Sequence, residues 1–152
     1  MNKLFIDPSA TGTTGACLVN SKSEITLLKF ENKDWKEHFN WIKVLVETNT
    51  INLIICEGSA WVPSRNKHIS SLFKIIGAIE ILPYFFPNLK VKTFPSKQTK
   101  QLRQKIINKE KGISGINYQQ GKSWNYKEKN ISTHELDAFL IYWIWKGNNY
   151  YE

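Results

Sequence analysis

The chain has 152 residues, enough for one domain with a real buried core, and its 41% hydrophobic and 22% charged residues make a globular mixture rather than a disordered one. No run of about 18 apolar residues is present, Met1 to Ile6 enters a strand-like stretch without a leader pattern, and Cys17 and Cys56 sit in no CxxC or Cys/His cluster, which disfavours a membrane span, secretion and structural zinc. The formal net charge of +8 is concentrated: Lys90 to Lys129 holds eleven Lys or Arg against two Glu, a net of +9, which suits a polyanionic partner or a solvated lysine face.

Lys3 to Ile6 is a short apolar run that ends at Asp7, and a loop rich in Pro, Ser, Thr and Gly follows to Gly12. Thr13 to Asn20 and Glu24 to Phe30 read as two further strands, with Asn20 to Ser23 as the turn, so the first three strands are predicted to meander antiparallel. Asp34 is a predicted cap for a helix to about Thr48, in which Trp35, Phe39, Ile42, Leu45 and Val46 fall near helical spacing. Ile51 to Cys56 is almost continuously apolar, as a strand buried on both faces should be, and it ends at Glu57. A loop from Gly58 leads to an apolar helix over Lys67 to Phe86, which Pro83 should kink or end and in which Gly77 suggests close packing. Leu89 to Phe94 is a short strand, and Pro95 or Ser96 opens a basic helix to about Lys109. Lys111 to Asn130 carries Gly112, Gly115 and Gly121 with weak periodicity and reads as irregular or mobile. The last helix, Thr133 to Lys146, is heavily apolar and should be buried. Three meandering strands followed by strand–helix alternation predict an α/β fold with a mixed sheet and helices on its faces.

Asp7, Glu57 and the stretch His134-Glu135-Leu136-Asp137 could meet in such a sheet, because sites gather where adjacent strands end. An acid at the end of a buried strand needs a partner, and either a divalent cation or a basic side chain would serve. His134 and Asp137, three apart, share a helix face. Glu135 fits better as the third residue of a capping box opened by Ser132. Carboxylates with one imidazole suit Mg²⁺ or Mn²⁺; a zinc hydrolase would be expected to show more than His38, His68 and His134. Two such ions about 4 Å apart can activate water and stabilise the leaving oxygen of a phosphodiester.

In order along the chain, Leu4-Phe5-Ile6-Asp7-Pro8-Ser9 with Thr14-Gly15, Ile54-Ile55-Cys56-Glu57, Phe73 to Ile79 around Gly77, and His134-Glu135-Leu136-Asp137-Ala138 resemble the motifs of the RuvC Holliday-junction resolvases, within the RNase H-like superfamily. Ser9 stands where the family's motif has Gly, and residues 111–130 have no evident counterpart. The resemblance implies a single RNase H-like domain over 1–152, with a five-stranded sheet of three antiparallel and two parallel strands flanked by helices. It implies Asp7, Glu57, His134 and Asp137 as the catalytic set, holding two Mg²⁺ or Mn²⁺ ions, with His134 as ligand or proton-transfer group. It further implies a homodimer that cuts a four-way junction symmetrically in the cytoplasm of a bacterium or phage-infected host, with no small-molecule cofactor.

Candidate DNA contacts follow. Trp61, just after Glu57, could stack on an unpaired base or simply pack on the protein, and Arg65 and Lys67 flank the same loop. Lys97, Lys100, Arg103 and Lys105 lie on or near the basic helix, as phosphate contacts or as its solvated face; Lys122 is interleaved with aromatics farther on. Two other functions stay open: an RNase H-like nuclease on structured RNA, resembling the YqgF group, or a non-catalytic nucleic-acid-binding module.

Overall fold

A strand that is apolar on both sides is satisfied only between two layers, and the computed structural model, which describes residues 1–58, 67–119, 121 and 123–148 (backbone alone at 67 and 68), provides them. β1 (Asn2–Asp7), β2 (Thr13–Val19) and β3 (Ile25–Glu31) form the antiparallel meander; α1 (Trp35–Asn49), β4 (Ile51–Gly58), α2 (Lys67–Glu80) and β5 (Lys90–Pro95) follow. The strand order is β3-β2-β1-β4-β5, with β4 and β5 parallel to β1. This is the expected sheet of three antiparallel and two parallel strands.

Side chains alternate across a strand, so residue parity sorts the two layers. Leu4 and Ile6 of β1, Ala16 of β2, and Ile54 and Cys56 of β4 face one side, where Ile42 and Val46 of α1 and Ile75 and Ile79 of α2 complete a core. Phe5, Cys17, Leu53 and Ile55 face the other side. There they meet α3 (Ser96–Ile107), through Leu102 and Ile106, and α4 (Thr133–Asn148), through Leu136, Phe139 and Leu140. Both cysteines are buried and free, as small core residues. Among the described residues no helix is long and apolar enough to cross a membrane.

Local signals account for the helix ends. Asp34 caps α1, its carboxylate accepting the Lys36 amide proton at 3.0 Å. The helix expected to reach Phe86 stops at Glu80, and Pro83 lies in a 3-10 turn over Leu82–Tyr84. Gly77 does not mark close packing: a methyl group there would meet nothing within 4 Å.

The largest departure from the sequence reading is the segment expected to be irregular. It folds into a second antiparallel sheet of β6 (Ile116–Gln119), β7 (Ser123–Tyr126) and β8 (Lys129–Ile131). Ile116, Trp124 and Ile131 are buried in the α3/α4 core, with Tyr118 and Tyr126 packed against it. These strands are three or four residues long, too short for periodicity to register. The β7–β8 turn also lacks a signal: Lys127 and Glu128 both take positive φ, 47° and 69°, where Gly or Asn is usual.

Candidate active site

Register brings the acids together. Ile6 stands opposite Cys56, so Asp7 and Glu57, the next residue on each strand, come level at the same end of the sheet. By parity both carry their side chains to the α3/α4 face, where α4 begins directly after β8. The start of α4 is set by the capping box expected from Ser132 and Glu135. The Ser132 amide donates to Glu135 Oε2 at 2.8 Å, and the Glu135 amide donates to Ser132 Oγ at 3.1 Å. Glu135 is thereby used as a cap, and His134 and Asp137 turn toward the strand ends.

His134 Nδ1 lies 2.8 Å from Asp7 Oδ2. A carboxylate only accepts, so Nδ1 carries the proton and, in the neutral ring, Nε2 is the basic position. That hydrogen bond holds the His134 pKa above its ordinary value. Glu57 accepts from the Thr99 hydroxyl at 3.0 Å. Burial, then the charge of Asp7, pushes the Glu57 carboxyl up to about 7, while Thr99 and, more weakly, Lys100 oppose the shift. Asp137 is pushed up to about 6, by burial first, with Arg103 opposing and Asp7 adding to it. The acids therefore feel one another: the fold has crowded negative charge at one point of low solvation.

Asp137 shows what that point lacks. Its Oδ2 accepts from Arg103 Nη1, whereas its Oδ1 is buried without a hydrogen-bond partner among the described residues. A buried carboxylate oxygen without a donor costs stability and is suited to a cation. As they stand, however, no three His, Cys, Asp or Glu side chains among the described residues are arranged to hold a metal ion. Asp7 is turned to His134, and Asp137 to Arg103. The donor set fits a hard cation in chemistry and in its orphaned oxygen, and loading would require those two partners to yield.

Of the other residues singled out from sequence, Lys97, Lys100 and Lys105 are exposed on α3, and Lys100 is near enough to influence Glu57. Arg103 is different, turned inward to Asp137 rather than outward as part of a solvated face. Trp61, Arg65 and Lys122 lie outside the described residues, as does the side chain of Lys67.

The roles of three residues at the site were not legible in sequence. Thr99 was hidden in a basic helix, although Ser96, Thr99, Leu102 and Ile106 form its buried stripe at near-helical spacing. Gly15, paired with Asp7 across β1 and β2, has no room for a side chain: a Cβ would stand 2.0 Å from the His134 carbonyl oxygen. His38, fully buried, ties down the loop after Asp7. Its Nε2 lies 2.8 Å from the Asn32 carbonyl oxygen, which can only accept, so Nε2 carries a proton, and Nδ1 lies 2.8 Å from Thr14 Oγ1, whose hydroxyl also reaches the Ser9 carbonyl oxygen at 3.1 Å. Thr14 Oγ1 in turn accepts the Ser9 amide proton at 3.0 Å, and Ser9 Oγ accepts that of Gly12 at 3.0 Å.

The chain superposes on Thermus thermophilus RuvC in complex with Holliday junction substrate with a TM-score of 0.63 at 14% identity, covering 98% of this chain and 96% of that one. A second Thermus thermophilus RuvC structure matches with a TM-score of 0.58 at 17% identity and the same coverage. No family model and no curated sequence matches the chain. The fold is the RNase H-like fold of RuvC.

Proposed function

We propose that this chain is a metal-dependent endodeoxyribonuclease that resolves four-way junctions and related branched DNA by symmetric phosphodiester hydrolysis. The observation that carries the reading is the convergence of Asp7, Glu57 and Asp137 from three separate elements onto one buried point, with Asp137 Oδ1 left unpaired. The choice of substrate is supported by the shared fold with a RuvC whose structure contains a Holliday junction.

Asp7, Glu57, Asp137 and the His134 imidazole would hold Mg²⁺ or Mn²⁺, two ions in the full site. When bound, such ions supply an activated water and stabilisation of the leaving 3′ oxygen. The chain's own residues do the rest. Before an ion loads, Asp7 fixes the His134 tautomer and leaves Nε2 unprotonated, as the nitrogen that would either ligate an ion or accept a proton from the attacking water. Thr99 holds Glu57 in place and favours its ionised form. Lys97, Lys100 and Lys105 neutralise phosphates along α3, Arg65, Lys67 and Lys122 extend the basic surface, and Trp61 stacks on a base near the crossover.

A two-fold substrate calls for a two-fold enzyme. Phe73 on α2 and Ile81 just after it are about half exposed, with Gly77 between them at four-residue spacing, and Tyr84 and Phe85 are exposed in and just after the following turn. This apolar strip is the face a homodimer would bury. Sedimentation of the wild type and of Tyr84→Lys tests it: the variant should be the monomer.

The deciding experiment offers Asp7→Asn a labelled four-way junction with Mg²⁺. Binding should persist while cutting is lost, and unchanged cutting overturns the site. Junction DNA, plain duplex and structured RNA compared on the wild type decide the substrate. Preference for RNA would replace the junction reading, and no metal-dependent hydrolysis of any would leave a binding module.

A further inference from the structure

Four basic residues project from α3 near the site, and three of them, Lys97, Lys100 and Lys105, are exposed. Arg103 alone turns inward, its side chain 25% exposed against a partner, Asp137, that is 13% exposed. A guanidinium can grip both oxygens of a carboxylate with a fork of parallel N–H groups. Here it takes Oδ2 and leaves Oδ1 buried and unpaired. The pair is therefore half made. Arg103 neutralises Asp137, yet occupies only one of the two oxygens. Arg103 on Asp137 and His134 on Asp7 are ion pairs of the site acids, and among the described residues no three metal-ligating side chains are grouped to hold an ion.

From this geometry we propose that Arg103 is a resident counter-cation: a divalent ion must displace it from Asp137, and the freed guanidinium passes to the scissile phosphate. Arg103 is thus a positioning residue before an ion binds and a substrate contact after it. The inference rests on the nuclease reading above and goes beyond it by assigning competition between a side chain and the metal. Two cations cannot share one small carboxylate without mutual repulsion, so ion binding is weak until an anion relieves Arg103. The junction phosphate is that anion. By linkage, DNA should then tighten ion binding by the same factor as the ion tightens DNA binding, a coupling of the usual size, about 5–150-fold.

The test is the affinity of the DNA-free protein for Mn²⁺, followed by the paramagnetic resonance of the free ion, in the wild type, Arg103→Gln and Arg103→Lys. Arg103→Gln should bind Mn²⁺ at least about fivefold more tightly than the wild type, yet cut the junction at least about tenfold more slowly at saturating Mn²⁺, as loss of a phosphate contact requires. Arg103→Lys, which keeps the charge without the fork, should fall between. A residue that merely braced Asp137 would give the opposite sign: weaker Mn²⁺ binding on removal. Equal or weaker binding by Arg103→Gln therefore overturns the proposal, while wild-type cutting leaves the nuclease reading intact. A wild type that neither binds Mn²⁺ nor cuts overturns both. Should Arg103→Gln fail to fold, the wild type answers by itself, because Arg65 and Arg103 are the chain's two arginines and their Nε–H resonances can be followed through a Mg²⁺ titration. The Arg103 signal should move in step with ion binding, and a signal that stays still refutes displacement.

Discussion

Replacing Gly15 with alanine perturbs the site through the backbone alone. The added Cβ would lie 2.0 Å from the carbonyl oxygen of His134, 2.2 Å from its carbonyl carbon and 2.8 Å from the Glu135 nitrogen. Ordinary contact begins at about 3.5 Å, so the start of α4 must retreat from β2 by roughly 1.5 Å. No rotamer change absorbs this, because all three obstructing atoms are main chain. The His134–Asp7 hydrogen bond, 2.8 Å in the wild type, would stretch past the length at which it holds. Overpacking of this kind costs about 1–3 kcal/mol, which for a domain of this size lowers the melting temperature by about 2–12 °C. A displacement of about 1 Å in a catalytic group can cost roughly 100-fold in rate. Gly15→Ala should therefore remain folded, bind the junction, and cut it about 100-fold more slowly in single-turnover assays. The His134 pKa, followed by NMR, should fall back toward its ordinary value as the bond to Asp7 is lost. A variant that melts with the wild type and cuts at its rate would show that α4 does not dock against Gly15 in this way.

Three further outcomes are expected. Glu57 rises from an ordinary 4.5 to about 7 and Asp137 from 3.8 to about 6, so between those limits the ion-free folded protein binds more protons than the unfolded one, and its stability falls as pH rises. His134, also raised, adds stability that is lost as pH rises through its folded-state value, so the trends agree; Mg²⁺ should raise the melting temperature more at pH 8 than at pH 5.5, and an equal rise at both would contradict the assignment. Thr99→Val removes the hydrogen bond that lowers the Glu57 pKa, so the acidic limb of the pH–rate profile should move to higher pH; an unmoved limb would detach Thr99 from the reaction. His38→Leu leaves the Asn32 carbonyl without its ring donor, at about 1–3 kcal/mol, while Thr14 Oγ1 keeps its bonds to Ser9, and thermal denaturation should show a loss of that order.

Local chemistry made much of the molecule legible. The apolar runs that stop at Asp7 and at Glu57 marked strands, their continuity marked burial, and Ser132 with Glu135 marked the start of α4 well enough to separate the capping acid from the site acid, Asp137. Where elements are short the signal failed. β6, β7 and β8 carry apolar residues on one face, but none spans more than two alternations, and the Lys127-Glu128 turn is built without the residues that usually announce it.

Sequence by itself determined which residues alternate, which share a helix face and which acids end strands, because those properties depend on neighbours a few positions away. The tertiary structure decided the rest. The register of Ile6 against Cys56 set Asp7 level with Glu57, and the bare α-carbon of Gly15 set how deeply α4 docks and so whether His134 reaches Asp7. The packing of α3 beside α4 decided that Arg103, outwardly one basic residue among four, faces Asp137. Register, docking depth and helix rotation are set by contacts between segments as much as 127 residues apart, and local periodicity carries no record of them.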